Sequence, residues 1–594
     1  MALIDKASLL MVPSTYEAGK LYNVLPSGNR APDSTDQNSG YDQTRADFDF
    51  DRGSNASATR IGSDGLIKKY RENLLVQSNQ FDTTWYNSNS TETGGQADKD
   101  GGTSAWLLTK TSTNGGIRQN NTTSGVQTFS FYAKAGESNW VKVNNLGSSA
   151  YHQANFDLQN GVVGTTAYII DAKIEDIGNG WYRCVTTYNT TLVNIDIRVA
   201  DSDNVVSGSS GSVYIQSAQL ETGLVASSYL DSTSVTGKAG VLVDLPRINY
   251  DANGENGALL LEPSRGNSFP HSEPFSGSGQ TASVGGYLIG DAFGIGVYGG
   301  VQLNAGSTHY YYGFSSAAST QYAVSFFVRR TDGGAPRLGT GSGDVNGDFC
   351  FVASGDVYSP NDWDTTPTIT LFKDDIYKFE GVLTTPAVVD NFGPLKYSSN
   401  SAINVQITGL QAEPNASYAS SYIPCMGTSE TRAADSCYNL DGMASIIGQT
   451  EGTIFCEFTL LSNENTDHRL SISSGASVDW IFVSIPEDGI NTRMYVRING
   501  VAVIDINSNQ FTKGNTYKIA FAYKSGDSAI YINGSSKVTS STAFGSPSVT
   551  LDTFGISGSN AGSSTPQNLS NSIKQTALFK ERLSNAELAT LTTL

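Results

Sequence analysis

The chain has 594 residues, of which 16% are charged and 38% hydrophobic, and its formal net charge is −19. A chain of this length exceeds one hydrophobic core, so we expect three or four domains. The acidic balance disfavours contact with nucleic-acid phosphates or anionic lipids, and we expect neither nucleic-acid binding nor membrane insertion. The 62 glycines and the 10% aromatic content, with few helix-favouring runs, predict all-β domains that are rich in turns.

The cysteines and the N-terminus indicate the compartment in which the chain folds. The five cysteines are odd in number and widely spaced, which does not indicate a disulfide framework. Cys425 and Cys437 could pair, but we favour buried free thiols. The N-terminus lacks a basic region followed by an apolar core, so we expect no secretory signal and synthesis in a reducing cytoplasm. Such a protein can still leave the cell as part of a released particle.

Residues 1–72 come before the first long β pattern. The stretch from Asp47 to Arg52 alternates strictly between polar and apolar residues, which places two Phe side chains on one face of a strand. Leu66 to Tyr70 is predicted to return as a second strand after a short turn. We expect a hairpin that buries little surface alone and packs on neighbouring subunits or on a larger assembly.

A closing pattern occurs twice in the chain. Ala218 to Glu221 leads into Ser227 to Leu230, and Leu410 to Glu413 leads into Ser420 to Ile423. One offset of 193 to 195 residues relates five pairs of markers: Phe81 and Phe275, Phe131 and Phe326, Phe156 and Phe351, Tyr182 and Tyr377, and Tyr229 and Tyr422. We therefore predict two copies of one β-sandwich, residues 73–240 and residues 267–436, joined by a hairpin connector at residues 241–266.

Residues 437–594 have a different β pattern. Strand signals recur in Gly452 to Phe458, in Tyr517 to Tyr523 and in Ile530 to Gly534. Ser584 to Glu587 has the form of a capping box before an apolar helical stretch. These patterns predict a third β-sandwich that ends in a short helix.

Three segments resemble parts of tail fibres and other virion proteins of tailed phages: Leu10 to Pro13, Phe48 to Arg52, and Pro246 to Tyr250. The resemblance implies a virion structural protein, made in the host cytoplasm without a signal peptide, whose residues 1–72 attach it to other tail proteins. It also implies a homotrimer, located in the tail or another surface appendage of the virion, that contacts host-surface glycans during adsorption.

Other segments resemble carbohydrate-binding folds. Gly180 to Cys184, with Gln219 to Glu221 downstream, is similar to carbohydrate-binding-module-like jelly rolls. Ile530 to Gly534 and Leu583 to Glu587 resemble elements of laminin-G and concanavalin-A-like lectin domains. The second copy departs from this pattern because Asp375 to Lys378 replaces the Gly-Trp-Tyr-Arg of the first. Roles that depend on those residues are not transferred to it.

Sandwich proteins bind sugars with aromatic faces and with amide or carboxylate groups. The candidate sugar-binding residues are Trp85, Tyr86, Trp106, Tyr311, Trp363 and Trp480. Trp363 lies in a polar stretch and is the best candidate for an exposed ring, whereas Trp140 and Trp181 lie in alternating strands and are predicted core residues. For each aromatic residue taken alone we favour a packing role over ligand contact.

Metal and catalytic signals are weak. Asp344, Asn346 and Asp348 form a D-x-N-x-D cluster that could bind Ca²⁺, the one candidate cofactor. The cluster lacks the later Gly and Glu of an EF-hand loop, so we favour an acidic turn. With four histidines and no nucleophile or phosphate-binding motif, we predict no enzymatic activity. The alternatives are an architectural or decoration virion protein without glycan binding, and a polysaccharide-degrading enzyme with accessory modules.

Overall fold

The computed structural model describes residues 3–13, 23–24, 49–52, 57–147, 150–242, 246–278, 280–353, 356–388, 391–439, 443–461, 469–474, 478–484, 491–509, 511–556 and 571–594. These residues form three two-sheet sandwiches joined by short hairpins, which confirms the predicted all-β tandem architecture. Among the described helices, none is both long and apolar enough to cross a membrane.

The N-terminal strands do not form one hairpin of their own. They are β1 (Leu9–Met11), β2 (Asn23–Val24), β3 (Asp49–Asp51), β4 (Thr59–Ile61), β5 (Ile67–Lys69) and β6 (Arg71–Asn73), after a 3-10 turn at Leu3–Lys6. The strand β5 pairs with β4, whereas β3 pairs with Ser436–Asn439 near the start of the third sandwich. The hairpin predicted between β3 and β5 is therefore wrong. A two-stranded ribbon buries little surface, and β3 gains more by extending a larger sheet.

The first sandwich packs two six-stranded antiparallel sheets. Its strands are β7 (Tyr86–Ser88), β8 (Ser90–Gln96), β9 (Ala105–Lys110), β10 (Gly116–Thr123), β11 (Val126–Ala135), β12 (Trp140–Leu146), β13 (Tyr151–Asp157), β14 (Val162–Ala167), β15 (Asp171–Gly178), β16 (Trp181–Asn189), β17 (Leu192–Ala200) and β18 (Ser212–Thr222). The front sheet has the order β14-β13-β12-β17-β10-β7, and the back sheet the order β15-β16-β11-β18-β9-β8. Alternate residues of both sheets form the core, which includes Phe131 and Phe156.

The strand β19 (Gly237–Ala239) pairs with β6, and the connector and second sandwich follow. Their strands are β20 (Arg247–Asn249), β21 (Ala258–Leu261), β22 (Arg265–Asn267), β23 (Thr281–Ser283), β24 (Gly286–Ile289), β25 (Gly299–Leu303), β26 (His309–Tyr312), β27 (Thr320–Arg330), β28 (Cys350–Ala353), β29 (Asp356–Tyr358), β30 (Thr365–Lys373), β31 (Ile376–Thr385), β32 (Gly393–Lys396), β33 (Val405–Pro414) and β34 (Glu430–Arg432). The front sheet here is β23-β26-β32-β28-β29 and the back sheet β24-β25-β33-β27-β31-β30.

The two sandwiches repeat each other down to one irregularity. The pairing of β11 with β18 shifts between Ser130 and Tyr132, and that of β27 with β33 shifts between Ser325 and Phe327, at the predicted offset. The extra residue of each bulge adopts a positive φ, 54° at Ser217 and 63° at Gly409. A β-bulge strengthens the local twist and is a specific feature of a strand pair, so its recurrence supports the repeat directly.

The closing pattern makes the same side-chain hydrogen bonds in both sandwiches. In the first copy the Gln219 amide and the Ser227 hydroxyl donate to the Glu221 carboxylate at 2.7 and 2.6 Å. In the second copy Gln411 and Ser420 donate to Glu413, both at 2.6 Å. The backbone N–H groups of the two serines donate to the same carboxylates. The pattern is therefore structural, and its polar atoms are used within the fold.

The third sandwich ends the chain. Its elements are β35 (Ser436–Asn439), a 3-10 turn at Met443–Ser445, β36 (Glu451–Leu460), β37 (Arg469–Ser473), β38 (Trp480–Ser484), β39 (Asn491–Ile498), β40 (Val501–Asn509), β41 (Thr516–Lys524), β42 (Ser528–Ile532), β43 (Ser535–Ser540), β44 (Thr553–Gly555), β45 (Asn571–Phe579) and α1 (Asn585–Leu591). One sheet has the order β2-β1-β45-β36-β41-β42-β43, and the other β3-β35-β44-β37-β38-β39-β40. Ser584 and Glu587 form the predicted capping box of α1.

Distant parts of the chain complete the third sandwich. The strand β1 pairs with β45 next to β36, and the connector hairpin β20–β21 pairs with the other end of β45. Apolar side chains from these strands enter its core, namely Leu9, Met11, Ile248, Leu259 and Leu261. The third sandwich is therefore built from the N-terminal strands β1 to β3, the connector hairpin β20–β21 and the chain from β35 onward.

A buried ionic cluster lies where the connector meets the second and third sandwiches. The Arg247 guanidinium donates to the carboxylates of Glu262, at 2.9 Å, and of Asp435. Arg432 lies 3.2 Å from Glu262, and Arg52 lies 3.5 Å from Asp435. Burial opposes ionisation of Glu262, but the nearby guanidinium groups of Arg432 and Arg247 outweigh it and lower its pKa to about 2.

Candidate functional site

Three of the predicted sugar-binding aromatics lie in hydrophobic cores. Trp85, Tyr311 and Trp363 are 5%, 0% and 6% exposed, so their rings do not offer a surface to a ligand. Trp363 contradicts the expectation of an exposed ring most clearly. Its ring packs against Phe351 at 5.3 Å, in space left by Gly381, where a Cβ would lie 2.6 Å from the indole. The missing side chain on the neighbouring strand lets this indole turn inward.

Trp106 is half-buried, and Trp480 is buried, with 7% of its surface exposed. The Trp106 indole donates to the Asn79 carbonyl at 3.0 Å, and the ring covers the edge of the first core. Trp480 lies on the outward face of its sheet, but the Arg469 guanidinium lies 4.7 Å from the ring centroid. The ring also contacts Phe482 at 4.6 Å. The face of Trp480 is therefore occupied by a cation–π contact within the protein.

Tyr86 is the most exposed of the six predicted residues. It is 65% exposed on β7, at the edge of the front sheet of the first sandwich. The Arg118 guanidinium lies 5.5 Å from the ring centroid. The backbone register places Arg118 directly opposite Tyr86, and Asp196 opposite Arg118 on the other side. Tyr86 thus begins a line of outward side chains that crosses the sheet.

This line continues to the far side of the front sheet. Ile117, Val143 and Ile197 point into the core, so the alternating residues Arg118, Asn144 and Asp196 point outward. Asn144 is paired with Gln153 on β13. We name the line the polar row; its members are Tyr86, Arg118, Asp196, Asn144 and Gln153. With strands about 4.8 Å apart, five strands give the row a length of roughly 19 Å.

Several polar atoms of the row have no hydrogen-bond partner within the part of the chain that the structure describes. Asp196 is held by Arg198, whose guanidinium donates to it at 2.7 to 3.1 Å. The side-chain amides of Asn144 and Gln153 form no hydrogen bond with any described residue, and the buried Nε of Arg118 likewise has none. Unpaired amide and guanidinium groups in a row are suited to bind the hydroxyl groups of a ligand.

Aromatic and loop residues border the row. Tyr151, 50% exposed, lies on β13 two residues from Gln153 and therefore on the same face. Lys142, beside the row, donates to Asn204 at 2.8 Å, so the loop after β17 covers that end of the sheet. Burial, followed by the charge of Arg198, lowers the pKa of Lys142. Trp140, a predicted core residue, instead lies half-buried on this outward face, because Val141 takes the inward position.

The sequence predicted one end of the row and missed its middle. Its signal was present in Trp140 to Asn144, where polar residues alternate with two valines. Such alternation predicts an outward polar face, but it does not tell which strands will lie side by side. The neighbours Arg118, Asp196 and Asn144 come from β10, β17 and β12, and only the sheet order brings them together.

The front sheet of the second sandwich has a different outward face. Tyr310 and Tyr312 are stacked at 4.6 Å and border a small apolar cluster that includes Val352, Leu395 and Tyr397. The predicted ligand-binding residue was Tyr311, which points inward between them. On this strand, Tyr310 and Tyr312 face outward, and the predicted residue Tyr311 faces the core. The two copies share a fold but present polar and aromatic faces respectively.

Both aspartates of the candidate calcium cluster accept hydrogen bonds from the protein, and Asn346 is exposed. Asp344 accepts the backbone N–H groups of Asn346 and Gly347, both at 3.0 Å, and the bond from Thr340 does most to lower its pKa. Asp348 is buried, accepts the Arg337 N–H at 2.9 Å, and contacts other donors. No group of three or more His, Cys, Asp or Glu that fits a metal ion occurs among the described residues. The cluster is a hydrogen-bonded turn.

Four thiols are free and enclosed by the fold. Cys184, Cys350, Cys425 and Cys456 are buried and unpaired, so the alternative pairing of Cys425 with Cys437 does not occur. Burial raises the pKa of Cys425 to about 12. The side chain of Cys437 lies outside the described residues. These thiols have the environment of packing residues and not of nucleophiles.

Comparisons with known proteins show local likeness to carbohydrate-binding domains. No family model and no curated protein matches the chain. Among solved structures, the CBM40 of a Ruminococcus gnavus IT-sialidase bound to α2,3-sialyllactose is 16% identical, with 25% of this chain and 86% of that chain covered and a TM-score of 0.23. Domain 4 of a GH43 arabinanase from Geobacillus stearothermophilus, in complex with arabinotriose, is 14% identical. The likeness covers 27% of this chain and 73% of that chain, with a TM-score of 0.21.

A third similar structure is the Caenorhabditis elegans galectin LEC-6, which is 12% identical, with 22% of this chain and 85% of that chain covered and a TM-score of 0.17. The descriptions are mainly those of binding modules, although the arabinanase domain comes from an enzyme. Because the TM-scores lie far below 0.5, we base no functional inference on these likenesses.

Proposed function

We propose that this chain is a glycan-binding protein without catalytic activity, and that the polar row of the first sandwich is its glycan-binding surface. One observation carries the proposal. The amides of Asn144 and Gln153 have no hydrogen-bond partner among the described residues and lie in one row with the exposed ring of Tyr86. Sugars present hydroxyl groups at their edges and C–H groups on their faces, which match amides and an aromatic ring.

The geometry favours an extended saccharide. The row crosses five strands and is roughly 19 Å long. Tyr86 at one edge and Tyr151 near the other are 65% and 50% exposed, whereas Asp196 and Asn144 between them are 4% and 7% exposed. Arg118 adds a charged donor next to Tyr86, which suits hydroxyl or acidic groups of a glycan. Weak single contacts of this kind become effective when several copies of a chain bind one surface.

The most direct test is a glycan array probed with the full chain. We expect binding to a defined set of oligosaccharides, reduced by Asn144→Ala and unchanged by Tyr214→Ala. Tyr214 is a half-buried tyrosine of β18 in the back sheet and serves as a matched control. Uniformly negative arrays together with no binding to host cells would overturn the proposal.

For the biological setting we propose a tail fibre or a similar appendage of a phage virion, in which this surface adsorbs to the host. The motifs shared with virion proteins support this setting. The test is mass spectrometry and immunogold labelling of purified particles. Peptides of this chain and label on an appendage are expected; absence of the chain from intact particles would contradict the setting but not the glycan binding.

A purely architectural role is the second candidate. The buried ionic cluster of Arg247, Glu262 and Asp435 favours it, because this cluster fastens the connector to the second and third sandwiches. An architectural protein needs fixed domains and no free polar row. Particles that carry the double variant Asn144→Ala and Tyr86→Ala distinguish the two roles. Both roles predict that these particles assemble. Only the glycan proposal predicts that they no longer adsorb to the host.

A further inference from the structure

The closing patterns of the two sandwiches differ in what lies next to their second serine. In the second copy, Ser421 donates its backbone N–H to one oxygen of the Glu262 carboxylate at 2.7 Å and its hydroxyl to the other at 2.6 Å. Arg247 donates to the same carboxylate at 2.9 Å, and the Arg432 guanidinium lies 3.2 Å from it. The second copy thus contains a complete carboxylate-binding site that is filled by a side chain of the protein itself.

The first copy retains the equivalent serine but not the carboxylate. Ser228 corresponds to Ser421, as Tyr229 corresponds to Tyr422. Asn73 in the first copy matches Asn267 in the second. Glu262 precedes Asn267 by the same number of residues as Lys68 precedes Asn73, so Lys68 stands at the position of Glu262. The backbone N–H of Ser228 donates to no described residue, and its hydroxyl accepts from Arg71 at 2.8 Å.

The first copy also lacks the large cation of the second. The register pairs Arg265 with Arg432 in the second copy and Arg71 with Ala239 in the first. An alanine therefore replaces Arg432 at this point. Because the first copy has neither the carboxylate of Glu262 nor the guanidinium of Arg432, space is left beside Ser228.

A cavity of about 700 Å³ lies in that room. It is lined by Arg60, Lys68, Lys69, Arg71, Ser227 and Ser228, among others. Its volume falls within the range of roughly 300 to 1,000 Å³ that is usual for ligand sites. Three carboxylates also line the cavity, those of Glu72, Glu221 and Glu430. They already accept hydrogen bonds from Thr236, Ser227 and Thr428, respectively, so their charge is partly offset.

We propose that this cavity binds the carboxylate group of a small acidic molecule, with acidic sugars as the class it fits. One carboxylate oxygen accepts the Ser228 N–H and the other its hydroxyl, as Glu262 does at Ser421. The Arg71 guanidinium, next to that hydroxyl, balances the charge. The site is separate from the polar row, and its failure would leave the proposed glycan surface unaffected.

The test uses D-glucuronate as the probe and D-glucose as its uncharged counterpart, titrated calorimetrically into the full chain. We expect binding of glucuronate, at least about tenfold weaker binding of glucose, and a similar loss of glucuronate binding in Arg71→Ala. The decisive variant is Lys68→Glu, which places a carboxylate where Glu262 stands in the second copy. This variant is expected to block glucuronate, whereas Lys68→Gln retains it.

Four results would overturn the proposal. They are no binding of glucuronate, equal binding of glucose, binding of inorganic phosphate as tight as that of glucuronate, and unchanged glucuronate binding in folded Lys68→Glu. Lys68 is partly exposed and, among the described residues, pairs with Asp64 alone at the surface, so we expect both of its variants to fold. If Lys68→Glu fails to fold, Ser228→Ala, at an exposed position, must weaken glucuronate binding for the proposal to stand.

Discussion

Arg247 and Asp435 form a fully buried ion pair that joins the connector hairpin to the segment leading into the third sandwich. The same Asp435 carboxylate accepts the backbone N–H of Glu262 at 2.9 Å. The pair therefore fixes both the side chains and the backbone of the connector. Three arginines share two carboxylates here, and Arg247 is the one that contacts both, so its loss removes the closest charge partner of each carboxylate.

Arg247→Ala is expected to lower the free energy of unfolding by about 3–5 kcal/mol, because Glu262 and Asp435 lose their closest guanidinium in a buried site and keep only the more distant Arg432 and Arg52. Denaturant titration of the full chain measures this loss. The control is Lys524→Ala, which removes a partner of an exposed pair with Glu451 and is expected to cost less than about 1 kcal/mol. Equal effects of the two substitutions would show that the buried cluster does not stabilise the joined domains.

The cluster also predicts a pH dependence. The pKa of Glu262 lies near 2 in the folded chain, below its ordinary value of 4.5. Its contribution to stability is therefore complete above pH 4.5 and is lost as the pH falls toward 2. By the pKa difference this contribution is about 3 kcal/mol. The difference in unfolding free energy between the wild type and Glu262→Gln should shrink between pH 5 and pH 2.5; a constant difference would contradict the assignment.

The third sandwich should not fold well from its own sequence alone. Its core takes Leu9 and Met11 from β1 and three apolar residues from the connector hairpin. A fragment of residues 437–594 is expected to show broad, non-cooperative unfolding, because the core lacks these side chains and β45 lacks its neighbours. In the full chain, Leu9→Ala is expected to cost about 2–5 kcal/mol. A fragment that unfolds cooperatively at the temperature of the full chain would refute this.

The sequence predicted the repeated sandwiches because their markers depend on local order. Phe131 and Phe326 lie at equal offsets in strands of alternating pattern, and both are core residues. The pairing of β1 with β45 and of β3 with β35 was not predictable in this way. Nothing in Leu9–Met11 specifies a partner more than 560 residues away, since a short apolar strand fits any sheet edge.

Of the candidate site, the sequence predicted only the residue whose exposure to solvent follows from its place at the edge of a sheet. Tyr86 starts a short edge strand and is open to solvent. Trp363 is surrounded by polar residues in sequence, yet it is buried because Gly381 on a neighbouring strand makes room for it. Tyr311 differs from its two tyrosine neighbours only by strand register. Such outcomes depend on contacts between strands, which the local pattern does not contain.

The central claim is that the polar row of the first sandwich binds a glycan, and isothermal titration with the best oligosaccharide from the array tests it most directly. Asn144→Ala and Tyr86→Ala should each weaken binding about 3- to 10-fold, through loss of a hydrogen bond and of ring contact. Tyr214→Ala on the back sheet should bind as the wild type does. Unchanged affinity in both front-sheet variants, with the fold intact, would contradict the claim.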